Sequence, residues 1–234
     1  MSDFFRFPHT PHIAWLAAGT PRDDKVLSPD EGRALLDGEV VVEEKLDGAN
    51  MGISFSADAV LRVQNRGQYL NRPFGGQFSR LDEWLAVRED SLFDALGSNL
   101  MLFGEWCAAQ HSLDYNGLPD WFLAFDVYDR EQGRFWSTSR RHALAESLGI
   151  KQVPRVLKGH TTLAELTRWV QERDSHYREG SLEGVVIRRE DDDWLLSRAK
   201  LVRPDFVQSI EEHWRSRALQ WNRIAWTEAD GELS

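Results

Sequence analysis

The sequence holds a single cysteine, Cys107, which excludes an intrachain disulfide framework and any zinc site built from several thiolates. Cys107 lies in the apolar stretch MLFGEWCA, where it is expected to be buried as a small apolar side chain. No apolar run approaches the roughly 18 residues that a bilayer span needs. The opening MSDFFRFPHTPH also lacks the cationic start and apolar core of a secretion signal. The expectation is a cytoplasmic protein with no membrane partner. Positive charge is short as well, with 28 Lys and Arg against 38 Asp and Glu and a formal net charge of -10. That argues against an indiscriminate nucleic-acid binder, which needs clustered cations over its surface. No Walker-type phosphate loop occurs, so a kinase is not expected. His9, His12 and His111 have no cysteine or carboxylate at ligand spacing, so no histidine metal site is expected either.

What is present suits a folded core: 234 residues, 41% hydrophobic, with ten tryptophans to fill the interior or wall a groove. Without internal repeats or a linker-like stretch, residues 1–234 are expected to form one domain. Ser28-Pro29-Asp30-Glu31 predicts a capped helix running to Leu36. Strand patterns follow at 39–46, 51–56 and 60–65, with tight turns at Asp47-Gly48 and Ala57-Asp58, which reads as an antiparallel meander. Residues 78–96 carry a helical period with a break near Glu89-Asp90. Buried strands are predicted at 100–107 and 121–128, helices at 139–148 and 162–172, and a hairpin at 182–189 and 194–201 across a solvated acidic turn. A terminal helix is predicted over 204–219. This mixture places the chain in the α+β class.

The stretch EEKLDGAN, Glu43 to Asn50, raises the question of chemistry. Alternation along a strand puts Glu43, Lys45 and Asp47 on one face and Glu44 on the other. A lysine attacks phosphorus only when deprotonated, and neighbouring carboxylates oppose that loss. Cations must therefore come from elsewhere, and Arg198 and Lys200, two residues apart on a late strand, are the candidates. Taken alone, Lys45 reads as an exposed lysine before a turn.

KLDGAN at Lys45 to Asn50 resembles the first motif of the covalent nucleotidyltransferases, the superfamily of ATP-dependent DNA ligases, RNA ligases and mRNA capping enzymes. The later motifs follow in order: VQNRGQYL from Val63, LFGEW from Leu102, FLAFDVYD from Phe122, LEGVVIR from Leu182 and LSRAK from Leu196. Asn50, where DNA ligases typically carry arginine, together with FPHTPHIAW and AKLVRPDF, is similar to bacterial members of the RNA ligase family. The resemblance implies a nucleotidyltransferase (ATP-grasp-like ligase) domain of antiparallel sheets flanked by helices, with no appended OB domain after the last motif.

It also implies an ATP-dependent RNA ligase that joins 3′-hydroxyl and 5′-phosphate ends through a lysyl-AMP on Lys45. By the same resemblance, Glu44 would face the adenine edge, Arg66 would contact ribose or phosphate, Glu105 would bind ribose hydroxyls and Phe125 would stack on the purine. Glu183 would orient a divalent metal, Mg2+ or Mn2+. Arg198 and Lys200 would bind the α-phosphate, Lys200 carrying the larger part because family members often have lysine at both places. Asn50 would hold the adenylated RNA end. Arg203 is a candidate RNA contact, as are Arg215, Arg217 and Arg223 with Trp214 and Trp221 for base stacking. The implied partners are RNA ends or a nicked RNA duplex, with an RNA end-healing protein as a candidate helper. The rival readings are a DNA ligase, a capping-type nucleotidyltransferase and a non-catalytic RNA-end-binding module.

Overall fold

Ser28 Oγ accepts a hydrogen bond from the Glu31 amide at 3.2 Å, and Glu31 accepts one from the Ser28 amide at 2.8 Å. This reciprocal cap starts α1 (Pro29–Leu36) where the sequence predicts it. The computed structural model describes residues 4–19, 21, 25–209 and 219–225. Its further elements are β1 (Val40–Lys45), β2 (Ala49–Phe55), β3 (Leu61–Gln64), β4 (Tyr69–Leu70), α2 (Leu81–Ala86), α3 (Glu89–Leu96), β5 (Leu100–Trp106) and β6 (Phe122–Asp129). After these come β7 (Arg134–Phe135), α4 (Thr138–Ser147), β8 (Arg155–Gly159), α5 (Leu163–Glu172), β9 (Gly184–Glu190), β10 (Leu195–Val202) and α6 (Pro204–Ser209).

The strands build two antiparallel sheets, one in the order β10-β9-β1-β8 and the other β4-β3-β2-β5-β6-β7. Leu35 of α1 and Leu166 and Val170 of α5 pack on Val40, Val42, Val185 and Ile187 of the four-stranded sheet. Leu81, Trp84 and Leu85 of α2, Leu92 and Leu96 of α3 and Ala145 of α4 pack on Met51, Ile53, Phe122 and Val127 of the six-stranded sheet. The longer strands thus give alternate side chains to a helix-covered core, and the remaining faces of the two sheets are left to meet one another. An aromatic cluster of Phe7, Met101 and Phe103, joined by Phe5, Phe125 and Phe135, fills part of that junction. Among the described residues, no helix is long and apolar enough to cross a membrane.

The predicted meander is corrected. β1 pairs with β8 and β9, whereas β2 pairs with β3 and β5, so Asp47-Gly48 carries the chain from one sheet to the other. A two-residue hairpin of the usual Asp-Gly type needs positive φ at both central residues, and neither Asp47 nor Gly48 has it. The turn's polar groups are committed to other segments. The Asp47 amide donates to the Tyr115 hydroxyl at 2.8 Å, its carboxylate accepts from the Ser112 and Leu113 amides at 2.7 Å, and the Gly48 amide donates to Glu105 at 3.1 Å. Glycine is required at 48 because a Cβ would lie 2.6 Å from the Trp106 carbonyl oxygen. The second turn is a true hairpin, closed by the Ser56 amide on the Val60 carbonyl.

The helical stretch breaks at Val87-Arg88, close to the expected place, and the late hairpin forms as β9 and β10. Its acidic turn is exposed, with Asp191 Oδ1 accepting from the Asp193 and Trp194 amides. Cys107 is fully buried. Three short strands, β4, β7 and β8, carry no alternating apolar signal. β8, bounded by Pro154 and Gly159, becomes a strand only because β1 offers it an edge. Of the predicted terminal helix, α6 is present and residues 210–218, with Trp214, Arg215 and Arg217, lie outside the described residues.

Gly184 opens β9 so close to β10 that an added Cβ would sit 2.9 Å from Val202 Cα and nearer still to the Leu201 carbonyl oxygen. Gly184→Ala is therefore expected to cost on the order of 1–3 kcal/mol of stability. A thermal melt should show Tm lowered by several degrees, and an unchanged Tm would refute the close approach.

Candidate active site

A cavity of about 770 Å³ opens between the two sheets. Its wall includes Glu44 and Lys45 of β1, Asn50 of β2, Arg66 in the β3–β4 loop, Glu105 of β5, Phe125 of β6 and Arg198 of β10. Seven side chains singled out from dispersed motifs thus share one concave surface of a size usual for small-molecule sites.

Lys45 is the last residue of β1 and pairs across the sheet with Gly184, which brings Glu183 alongside it. Lys45 Nζ lies 2.5 Å from Glu183 Oε1; Glu183 is 4% exposed and Lys45 29%, so the lysine keeps access to the cavity. Burial pulls the Lys45 pKa down, but the carboxylates of Glu183, Glu105 and Asp47 outweigh it and hold the ammonium above the usual lysine range. Burial pushes Glu183 up to about 8 and Glu105 up to about 7, against the opposing pull of Lys45. The site thus sets the carboxyl groups of Glu183, Glu105 and Asp47 against the Lys45 ammonium, with the Arg66 guanidinium also acting on Glu105.

Asn50 stands opposite Glu105 in the β2–β5 ladder. The Asn50 Oδ1 and Glu183 Oε2 atoms are both buried without a hydrogen-bond partner among the described residues. Buried oxygens in that condition are costly and mark a place where another molecule's polar groups belong.

Glu44 points away from Glu43, as strand alternation requires. Although it lines the cavity, its carboxylate accepts from Ser175 Oγ at 2.5 Å and the His176 amide at 3.0 Å, with His176 Nδ1 at 2.8 Å. Lys200 lies one pleat beyond Arg198 on the same face of β10, opposite Val186, a residue of the cavity wall. Its own backbone is held by the amino-terminal segment, its amide donating to Pro11 and its carbonyl accepting from Ile13. Arg203 is not brought into the wall. It pairs with Asp205 and donates to the Val170 and Gln171 carbonyls at the end of α5.

The residues that sequence reasoning passed over form the floor. Glu43 of β1 takes a two-pronged ion pair from Arg141 of α4, at 2.5 and 3.2 Å. Arg188 of β9 reaches Asp126 of β6 at 2.8 Å and lies 3.9 Å from Glu43, and Arg198 pairs with the other oxygen of Asp126. Phe125 is the extra residue of a bulge, since Phe103 pairs with Asp126 and Gly104 with Ala124. Its carbonyl accepts from Arg141 at 2.5 Å and from Arg188 at 3.4 Å, so two buried arginines fix the turn of its ring into the cavity. Gly104, beside Glu105, answers to this same packing, because a Cβ there would lie 2.6 Å from the Leu123 carbonyl oxygen. The signal available in the sequence was a charge inside an apolar strand, as in FLAFDVY and VVIRR. Arg141 and Phe7, which stands edge-on to Phe125, gave none.

Residues 38–202 match the model of the family described as RNA ligase. No curated protein matches the sequence. Among solved structures, the fold is similar to Naegleria gruberi RNA ligase with PPi, with a TM-score of 0.63 and 18% identity over 89% of this chain and 65% of that one. A mutant of the same ligase with ATP and Mn superposes with a TM-score of 0.60 and 20% identity, over 76% of this chain. This chain spans about half (53%) of the length of that ligase. At such identities the likeness is one of fold.

The buried acids set a pH dependence. Glu183 and Glu105 hold protons in the folded state up to about 8 and 7, whereas unfolded glutamates release them near 4.5. Between those values the folded state binds more protons, so stability falls as pH rises. The raised pKa of Lys45 adds nothing within this window, because that lysine is protonated in both states below 10.5. Urea melts should lose on the order of a few kcal/mol between pH 5 and 8. The loss should be smaller in Glu183→Gln, and parallel declines in both proteins would refute the assignment.

Proposed function

The chain belongs to the RNA ligase family, and from that premise we propose that it is an ATP-dependent RNA ligase with Lys45 as its nucleophile. The observation that carries the reading is Lys45 Nζ held 2.5 Å from a buried glutamate at the mouth of a cavity large enough for a nucleotide. Support for ATP and a divalent cation comes from the Naegleria ligase mutant, a structural relative solved with ATP and Mn. The residues present fit both. The ring of Phe125 offers an aromatic face for the purine, and Arg66 and Arg198 offer cations to phosphate. Glu183 Oε2 is an unpartnered hard oxygen. Among the described residues no group of three or more acids, histidines or cysteines is placed to hold a metal ion. A small hard cation bound through substrate phosphates and one or two carboxylates does not require such a group. When bound, the cation supplies positive charge to the phosphates at the reacting centre.

Lys45 becomes a nucleophile only on losing a proton, and Glu183, the carboxyl group in contact with it, takes that proton only after giving up its own. Nζ then forms the bond to the α-phosphorus of ATP as the bond to pyrophosphate breaks, leaving AMP on the lysine. Arg198, held in place by Asp126, stabilises charge on the α-phosphate, and Lys200 assists from the next pleat. In the later steps AMP passes to an RNA 5′-phosphate and is displaced by a 3′-hydroxyl, with Asn50 Oδ1 free to bind the adenylated end. The substrates are RNA ends or a nicked RNA duplex, in a cytoplasmic setting with an end-healing protein as candidate partner.

The test is intact mass after incubation with each nucleoside triphosphate and Mg2+ or Mn2+. ATP should add one AMP to the wild-type chain and none to Lys45→Ala. A GMP adduct would point to a capping-type enzyme, equal sealing of all-DNA nicks to a DNA ligase, and a chain unmodified by every nucleotide to a binding module.

A further inference from the structure

The described segment 219–225 is far from Lys45 in sequence, yet it is laced along residues 107–118. The Asn222 amide donates to Ala108 at 2.9 Å, the Arg223 amide to Tyr115 at 2.8 Å and the Ala225 amide to Leu118 at 2.8 Å. In the other direction Gln110 and Leu118 donate to the Gln220 and Arg223 carbonyls at 2.9 and 3.0 Å. Asn222, 4% exposed, uses both ends of its amide, accepting from the Tyr115 amide at 2.8 Å and donating to the Cys107 and Ala109 carbonyls at 2.8 and 3.3 Å. Few side chains combine an acceptor with two donors in so small a volume. Trp221 is pinned as well, with the Arg80 guanidinium 4.6 Å from its ring and 4.9 Å from that of Trp121.

Tyr115 is therefore gripped at both its amide and its carbonyl by this strap. Its buried hydroxyl accepts the Asp47 amide at 2.8 Å, two residues beyond Lys45. The neighbouring Ser112 and Leu113 amides hold the Asp47 carboxylate, and Leu46 packs in one cluster with Cys107, Tyr115 and Leu118. Residues 107–121 contain no helix or strand of their own, so their position comes from such contacts. The Tyr177 carbonyl holds the Asn116 and Gly117 amides and Arg178 holds Asp114, so the loop is fastened both by these residues and by the strap.

We propose that segment 219–225 is a positioning element for Lys45, acting through Asn222 on Tyr115 and through the Tyr115 hydroxyl on the Asp47 amide. The proposal rests on the reading of Lys45 as the nucleophile. Asn222 and Tyr115 touch neither nucleotide nor reacting atoms in it; they hold the turn that aims the lysine. Displacement of a reacting group by about 1 Å can cost a hundredfold in rate.

The deciding variant is Tyr115→Phe in the full chain, which removes one hydroxyl and keeps the ring; Asn222→Ala is its companion from the strap side. Single-turnover transfer of AMP from saturating ATP to Lys45 should slow on the order of tenfold in Tyr115→Phe, with a smaller change in the ATP concentration giving half-maximal rate. Amide hydrogen exchange at Asp47 should quicken, while that at Val42 and Ile53 stays as in the wild type. A structural role alone would lower Tm and leave the rate constant of the folded enzyme unchanged. A wild-type rate in Tyr115→Phe overturns the proposal. If the wild-type chain takes no AMP, it is the reading of Lys45 that fails, and the exchange measurement then decides the link from strap to turn by itself.

Discussion

Glu43 and Asp126 come from different sheets, and Arg188 reaches both. With Arg141 and Arg198 they form a buried ionic floor whose charges are almost wholly removed from water. Such an assembly is a poor source of net stability, since desolvation offsets most of its Coulomb energy, but removing any one partner strands the others at roughly 3–5 kcal/mol. Its consequence is geometric. The sheets can meet in only one register, and the cavity between them takes its shape from that register.

Phe125 depends on this floor directly. A bulge removes its carbonyl from the β5–β6 ladder, and Arg141 and Arg188 take up the orphaned oxygen. A backbone irregularity that would otherwise be costly becomes the means of turning an aromatic ring into the cavity. Arg198 depends on it too, since the Asp126 carboxylate sets where its guanidinium can reach, between the rings of Phe7 and Phe135.

Lys45 stands where the chain leaves one sheet for the other, and there the electrostatic balance is the opposite of the floor's. Acids outnumber cations around it, and two buried oxygens, on Asn50 and Glu183, have no partner among the described residues. The floor balances its carboxylates with buried guanidinium groups in direct ion pairs, whereas the mouth leaves oxygens that a ligand's polar groups can meet. That division, a cost accepted at the site and compensated by the surrounding structure, is common where sites do chemistry.

The sequence by itself determined which residues fall in the motifs and in what order they come. Lys45, Glu105 and Arg198 each sit in a short motif on one strand and Glu183 in a motif just ahead of one, and a motif is local information. It also determined most helices, through caps such as Ser28-Pro29-Asp30-Glu31 and through apolar spacing. Only the tertiary structure decided which sheet each strand joins. Asp47-Gly48 carries the same local signal whether it closes a hairpin or crosses between sheets, and the choice was made by Tyr115, Ser112, Leu113 and Glu105, all more than fifty positions away. β8 was invisible for the same reason, because an edge strand with little apolar alternation is defined by its partner. The pairing of Glu43 with Arg141 was equally hidden, since a charge in a strand and a charge on a helix say nothing of each other until packing excludes water from both.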